Sequence, residues 1–261
     1  VILARYDRPE WLQHRFDYTM GSHIGCFERT QQGKTHLIYQ MADIAVLQNP
    51  GLIPVSLMPK SRDPGTYKNA VSRGWQIIGD WPPPKAPPWK QKPPGYVLWP
   101  QHLKGVPVQQ NREHLARIFR RCLAGQFQQG ESLTIADDAF NLAVLLDLNA
   151  EIEELLTAGE GGGAGIWLTG QKPSGTQASG SVTTFAYNQP TQFLLGREPL
   201  AENRKRFDAI GGVDTRVVSG TVANLPVHPV IVNTPNGPKT KNISEKLHID
   251  LRGPFLSIVG V

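Results

Sequence analysis

The sequence predicts an α/β fold built on a mostly parallel central sheet flanked by helices. Short apolar runs of strand length alternate with stretches of helical periodicity. One such run passes through a Gly-Lys-Thr turn at 33–35 directly into a helix. Another, at 133–136, opens onto two adjacent acids, Asp137 and Asp138. The chain has 261 residues, enough for one large α/β domain or one domain with a modest extension.

The elements follow in order. Residues 23–27, His-Ile-Gly-Cys-Phe, read as the first strand, and a helix is predicted over 34–47. Strands are predicted at 53–58, 75–78 and 96–99. Between the last two lies DWPPPKAPPWKQKPPG, residues 80–95, whose seven prolines favour stiff extended backbone. It carries Lys85, Lys90 and Lys92 beside Trp81 and Trp89, which suits either a solvated surface loop or a loop that contacts a phosphate backbone. Leu115, Ile118, Phe119 and Leu123 form one stripe of a helix over 111–124. A buried strand at 133–136 is followed by a helix over 140–156, with Glu151, Glu153 and Glu154 on one face and Gly161–Gly163 as its stop. Strands at 166–169 and 193–195 and a charged helix at 198–209 come next. After about 216 the pattern turns to β-branched runs such as 229–232 and 255–259, read as strands closing the same domain or as a short separate β module. The expected organisation is an N-terminal extension at 1–22, a core at 23–215 with the loop at 80–95 inserted, and a β-rich extension at 216–261 packed on the core.

Composition narrows the function classes. No apolar run reaches the ~18 residues of a membrane span, and the first residues lack the long apolar stretch and cleavage site of a secretory leader. Cys26 and Cys122 make no disulfide framework, which fits a reducing cytoplasm. The seven histidines are scattered, with none at zinc-ligand spacing to a cysteine. A net charge of +5 and a pI near 9.2 lean toward a polyanionic partner.

Gln31-Gln32-Gly33-Lys34-Thr35-His36 follows a strand and opens a helix, the context a phosphate-binding loop requires. Successive backbone N–H groups and a helix N-terminus would face the phosphates of ATP. Lys34 would bring a charge to the β and γ phosphates, and Thr35 would place its hydroxyl on Mg²⁺. The full pattern asks for Gly at position 28, where this chain has Glu28, and Gln32 replaces the small residue usual before the last Gly. A bare Gly-Lys-Thr also occurs as an ordinary turn.

The strand tip at 136–138 supplies what such a loop needs nearby. Successive strand residues point to opposite faces, so Asp137 can serve as metal ligand and Asp138 as the group polarising the attacking water. Either acid could instead cap the next helix. In the third element, 167–174, a strand ends in Gly170-Gln171 and Pro173 turns the chain away from helix. Gln171 could hydrogen-bond both the γ-phosphate and the lytic water, or be a polar residue of a surface turn.

These three elements, in this order, resemble the FtsK/HerA superfamily of RecA-like (ASCE) P-loop ATPases, over residues 20–215. Met58-Pro59-Lys60 is similar to that family's acid-Pro-Lys turn, with Met58 in place of the acid, and 169–174 is similar to its Thr-Gln-Arg-Pro-Ser sensor segment. Residues 193–196, 203–208 and 211–212 are similar to the strand, helix and Gly-rich turn that follow. Asp138 stands where the family usually has Glu, one methylene longer, and the helix end at 159–161 lacks the arginine often found there. The resemblance implies a RecA-like core with added C-terminal strands, ATP and Mg²⁺ as cofactors, and a homo-oligomeric ring, commonly a hexamer, acting on double-stranded DNA without a membrane anchor. It also implies an arginine inserted into a neighbour's site, at Arg204 or next at Arg197; the other reading of Arg204 is a solvated helix face beside Lys205 and Arg206.

Three functions follow. The leading one is an ATP-driven DNA translocase for packaging or transfer in a bacterial or phage-infected cytoplasm, with 85–92 and 174–187 as DNA-facing segments. The second is a non-catalytic nucleotide-binding scaffold of a DNA-processing assembly, and the third a P-loop enzyme of another kind, against which a lid of arginines is missing.

Overall fold

The computed structural model describes residues 3–29, 32–85, 87, 89, 91–170, 184–234, 237–253 and 255–261. Its centre is a ten-stranded sheet in the order β1-β12-β11-β8-β2-β7-β6-β3-β5-β4. In chain order these are β1 (Ala4–Tyr6), β2 (Ile24–Phe27), β3 (Val55–Leu57), β4 (Gln76–Ile78), β5 (Tyr96–Leu98), β6 (Ser132–Ala136), β7 (Ala164–Gly170), β8 (Gln192–Leu195), β11 (Lys246–Asp250) and β12 (Phe255–Val259). Every pairing is parallel except those of β11, which runs antiparallel to both β8 and β12. The remaining strands, β9 (Val227–Thr234) and β10 (Gly237–Ser244), form a separate antiparallel ribbon.

The central strands are buried on both faces, which is why they read as continuous apolar runs rather than alternating ones. Their side chains nonetheless divide with period two. Leu133 and Ile135 of β6, Trp167 of β7 and Ile24 and Cys26 of β2 enter one core, with α1 (Arg8–His14), α2 (Lys34–Gln48) and α3 (Pro64–Ser72). Ala136, Ile166, Leu168 and Phe27 enter the other. That second face is covered by α4 (Val108–Gln129), α5 (Asn149–Ala158), α6 (Phe185–Asn188) and α8 (Thr215–Asn224). A short helix, α7 (Ala201–Arg204), continues into a tighter turn over Lys205–Ala209. Among the described residues no helix is long and apolar enough to cross a membrane.

Each expected strand is present, and the differences lie mostly in helices. The helix expected over 140–156 is broken. Asn141–Leu145 forms a wide π turn, and Asp147 takes a left-handed backbone (φ 54°) before α5 begins. Asn141 is held by the Asp138 carboxylate, which fixes the start of this irregular turn. The β-branched run after 216 opens as helix rather than strand: Asp214 caps α8 through the Arg216 N–H, and Val218 and Val222, four apart, bury its apolar face. Pro64 and Asp63 start α3, a helix with few apolar residues and little periodic signal. The N-terminal segment is part of the sheet, since β1 pairs β12.

Candidate functional site

In the sheet, β7 lies between β2 and β6, and the strands end together. Phe27 is level with Gly170, Leu168 with Ala136, and Ala136 with Leu57. The segments leaving β2, β7, β6 and β3 therefore emerge on one edge, at the carboxyl ends of parallel strands where open α/β sheets bind their ligands.

Gly33 begins α2 in the left-handed conformation (φ 91°), with no side chain capping the helix. The first intrahelical bond is Leu37 N–H to Gly33 O at 3.2 Å, so the amides of Lys34, Thr35 and His36 precede the ladder, the arrangement in which a helix terminus can receive an anion. The Lys34 ammonium donates to Gly170 O at 2.8 Å, an oxygen that also accepts the Glu28 N–H at 3.0 Å. One of its three protons is thus used to tie the side chain to the end of β7. Thr35 is half-buried in the first turn. The His36 ring is exposed and engaged by Asn69 Oδ1 of α3 at 3.0 Å, so its part in a phosphate site falls to its backbone amide. Gln32 is half-buried before Gly33. Gln31 and Gln171 lie outside the described residues.

Asp137 is buried, with 5% of its surface exposed. Thr169 Oγ1 of β7 donates to its Oδ1 at 2.8 Å, and Thr66 Oγ1 of α3 approaches Oδ2 at 3.5 Å. Burial raises its carboxyl above the ordinary aspartate value; the Lys34 ammonium is the strongest influence pulling it back, followed by the Thr169 hydroxyl and Lys60. The Lys34 ammonium is thus near enough to Asp137 to act on its charge.

Asp138 takes a positive φ of 70°, which Asp tolerates better than most residues and which clusters at functional sites. Its N–H donates to Thr169 Oγ1 at 3.2 Å, so one hydroxyl ties both acids to β7. Its Oδ2 accepts from Asn141 Nδ2 at 2.6 Å and lies 3.3 Å from Lys60 Nζ. Burial works to lower the Lys60 pKa, but Asp138, then Asp137 and Asp63, outweigh it and leave the ammonium above the ordinary lysine value. Lys60, Thr169 and Asn141 belong to the site although sequence reading gave them no site role. Lys60 and Thr169 stood in the motifs at 58–60 and 169–174, and Asn141 had no signal beyond following Asp138 by three residues.

Arg204 is turned onto its own chain. Its Nη1 donates to Glu198 O at 2.9 Å and Pro199 O at 2.6 Å, and its Nε to Ser219 Oγ at 3.1 Å on α8. Arg197, just past β8, is exposed. Glu28 does not face the phosphate loop as an open charge: its side chain is buried against Lys246 of β11.

No family model matches the sequence, and no curated protein does. Solved structures match in fold. The genome packaging NTPase B204 from Sulfolobus turreted icosahedral virus 2, in complex with sulfate, is 12% identical, with a TM-score of 0.58 over 93% of this chain and 98% of that chain. In complex with ATP-gammaS the same protein gives 12% identity and a TM-score of 0.55 over 92% and 98%. The DNA-packaging ATPase B204 from Sulfolobus Turreted Icosahedral Virus is 14% identical, with a TM-score of 0.54 over 92% and 98%. At these identities the likeness shows the fold, and it is the RecA-like P-loop NTPase fold that the FtsK/HerA resemblance implies.

Proposed function

We propose that this chain binds and hydrolyses ATP and uses it to move double-stranded DNA, as a packaging or transfer motor of FtsK/HerA type working in a homo-oligomeric ring. The observation that carries the reading is the convergence of the uncapped α2 terminus and Lys34 with Asp137 and Asp138 on one sheet edge. That the similar folds include a genome packaging NTPase solved with a nucleotide analogue supports the choice of ATP and of DNA.

The residues present fit the cofactors. Gln31 to His36 would hold the phosphates, chiefly through backbone N–H groups, with Lys34 as the counter-charge. Thr35 and Asp137 would hold Mg²⁺, whose chemistry when bound is to neutralise charge on the phosphate oxygens. Asp137 suits this role because Thr169 fixes one carboxylate oxygen while Thr66 makes only a long contact to the other. Asp138 orients the attacking water and takes its proton; Asn141 and Lys60 keep its carboxylate in place. Gln171, next in the sequence after β7, would hydrogen-bond both the γ-phosphate and the attacking water. Arg204, or the exposed Arg197, reaches a neighbour's site in the ring; for Arg204 this means leaving the carbonyls of Glu198 and Pro199. The loop at 80–95, with exposed Lys85, Lys92 and Trp89, faces the DNA backbone.

ATP hydrolysis measured with and without duplex DNA tests the reading, together with particle mass with and without ATP. DNA-stimulated turnover by a ring supports it; intact ATP binding with no turnover in either condition counts against it. A second reading, a nucleotide-binding scaffold without turnover, is favoured by one observation: Lys60 and Asn141 both engage Oδ2 of Asp138, which lowers the basicity of that oxygen. ATP-dependent assembly unaffected by Asp138→Asn and Lys34→Ala would select the scaffold.

A further inference from the structure

A phosphate loop of the usual pattern starts on glycine, and here it starts on Glu28, a carboxylate beside a site built for anions. The structure answers this charge from the far end of the chain. The Lys246 ammonium of β11 lies 2.5 Å from Glu28 Oε1, with 1% and 0% of the two side chains exposed. The same ammonium donates to Ser244 O at 2.5 Å and to Gln32 O at 3.3 Å, the carbonyl immediately before Gly33. A longer contact, 3.4 Å, reaches Ser244 Oγ, so its three protons are shared among acceptors of which one, the Gln32 carbonyl, lies in the phosphate loop itself. Ser244 Oγ donates to the same Glu28 oxygen at 3.0 Å.

Two glycines make room for this arrangement. A Cβ on Gly196, past the end of β8, would lie 2.5 Å from Glu28 Cγ, so the glutamate packs flat on that backbone. A Cβ on Gly33 would lie 3.3 Å from Ile243 Cγ2, so the end of β10 is laid directly against the turn that opens α2. Burial drives the Glu28 carboxyl up and the Lys246 ammonium down, and each is the other's strongest restoring influence. A buried ion pair contributes little net stability over an apolar pair of similar size, so stability alone does not account for its placement.

We propose that Lys246 is a positioning residue of the phosphate loop: by cancelling Glu28 and bonding the Gln32 carbonyl, it fixes the backbone before Gly33 so that the amides at 33–36 face a bound triphosphate. The C-terminal strand β11 is therefore part of the nucleotide site, in place of the missing glycine. The inference rests on the nucleotide-binding reading above.

The test compares wild type, Lys246→Met and the neutral pair Glu28→Gln/Lys246→Met. Three quantities are read: Tm without nucleotide, amide hydrogen exchange at 32–36, and affinity for a fluorescent ATP analogue with Mg²⁺. Lys246→Met strands a buried carboxylate and lowers Tm. The double variant restores Tm to near wild type, since neither buried charge is left alone. It is expected still to bind the analogue at least about tenfold more weakly and to exchange faster at 32–36, because the Gln32 carbonyl has lost its tether. A double variant with wild-type Tm, wild-type affinity and unchanged exchange overturns the proposal. If wild type and Lys34→Ala alike fail to bind the analogue, the nucleotide reading itself fails; unchanged exchange at 32–36 then overturns the tether as well, and faster exchange keeps it as a fixture of the loop.

Discussion

The Thr169 hydroxyl, on β7, donates to Oδ1 of Asp137, on the neighbouring β6, at 2.8 Å. Thr169 Oγ1 in turn accepts the N–H of Asp138 at 3.2 Å. A single side chain from the strand between the phosphate loop and the acids thus aims one acid and fixes the unusual backbone of the other. Thr169→Val keeps the shape and removes both bonds. It is expected to lower turnover by about tenfold or more, while binding of ATP without Mg²⁺ changes little. Steady-state kinetics paired with titration of the metal-free nucleotide check this.

Asp138→Asn keeps the side-chain size and the approach of Asn141 but removes the basic group. Turnover is expected to fall by about 10²–10⁴-fold with nucleotide affinity retained. Lys60→Met, which removes the ammonium 3.3 Å from the Asp138 carboxylate, is expected to change turnover and its pH profile rather than affinity. An Asp138→Asn protein that hydrolyses ATP at the wild-type rate would remove Asp138 from the mechanism.

His23 and His248 are buried, and burial holds both well below the ordinary 6.5, at about 4. His248 accepts from Trp11 Nε1 at 3.3 Å, and His23 from the Ile166 N–H at 3.1 Å, so both are held neutral in the fold. As pH falls from about 6.5 to about 4, the unfolded chain takes up protons that the folded chain refuses, and stability is lost across that window by up to about 3 kcal/mol for each residue. The raised carboxyls of Asp137 and Glu28 act with the opposite sign, because the folded state holds their protons more tightly as pH falls. The slope of Tm against pH over this window is expected to be clearly shallower in His248→Gln than in wild type; identical slopes would contradict the assignment.

Arg204 gives its protons to Glu198 O, Pro199 O and Ser219 Oγ, and so joins the loop after β8 to α8. Arg204→Ala is expected to reduce stability by about 1–3 kcal/mol in urea denaturation. The same change at exposed Arg197 is expected to stay within about 0.5 kcal/mol. Loss of ATPase activity in Arg204→Ala with stability unchanged would mean that the side chain leaves these partners in the working assembly.

Much of the fold was legible because buried parallel strands announce themselves as short apolar runs, as in 133–136 and 166–169. The site was legible where its parts sit next to a strand end: Gly33-Lys34-Thr35 after β2 and Asp137-Asp138 after β6. What escaped depends on distant residues. The break after Leu145 coincides with the left-handed Asp147, which has no pattern of its own in the sequence. Lys246 is 218 positions from Glu28 along the chain numbering and looks like any strand lysine until β11 is placed beside β8. Helix α8 was hidden because a β-branched run carries strand propensity, and burial of Val218 and Val222 overrode it.

The central claim is that Lys34 and Asp137 serve one triphosphate and its metal. Hydrolysis of radiolabelled ATP by wild type and Lys34→Ala, titrated with duplex DNA, tests it most directly. Wild type is expected to hydrolyse ATP and to accelerate as DNA is added, with Lys34→Ala reduced to background at every DNA concentration. Equal hydrolysis by the two proteins, or none by wild type with or without DNA, would contradict it.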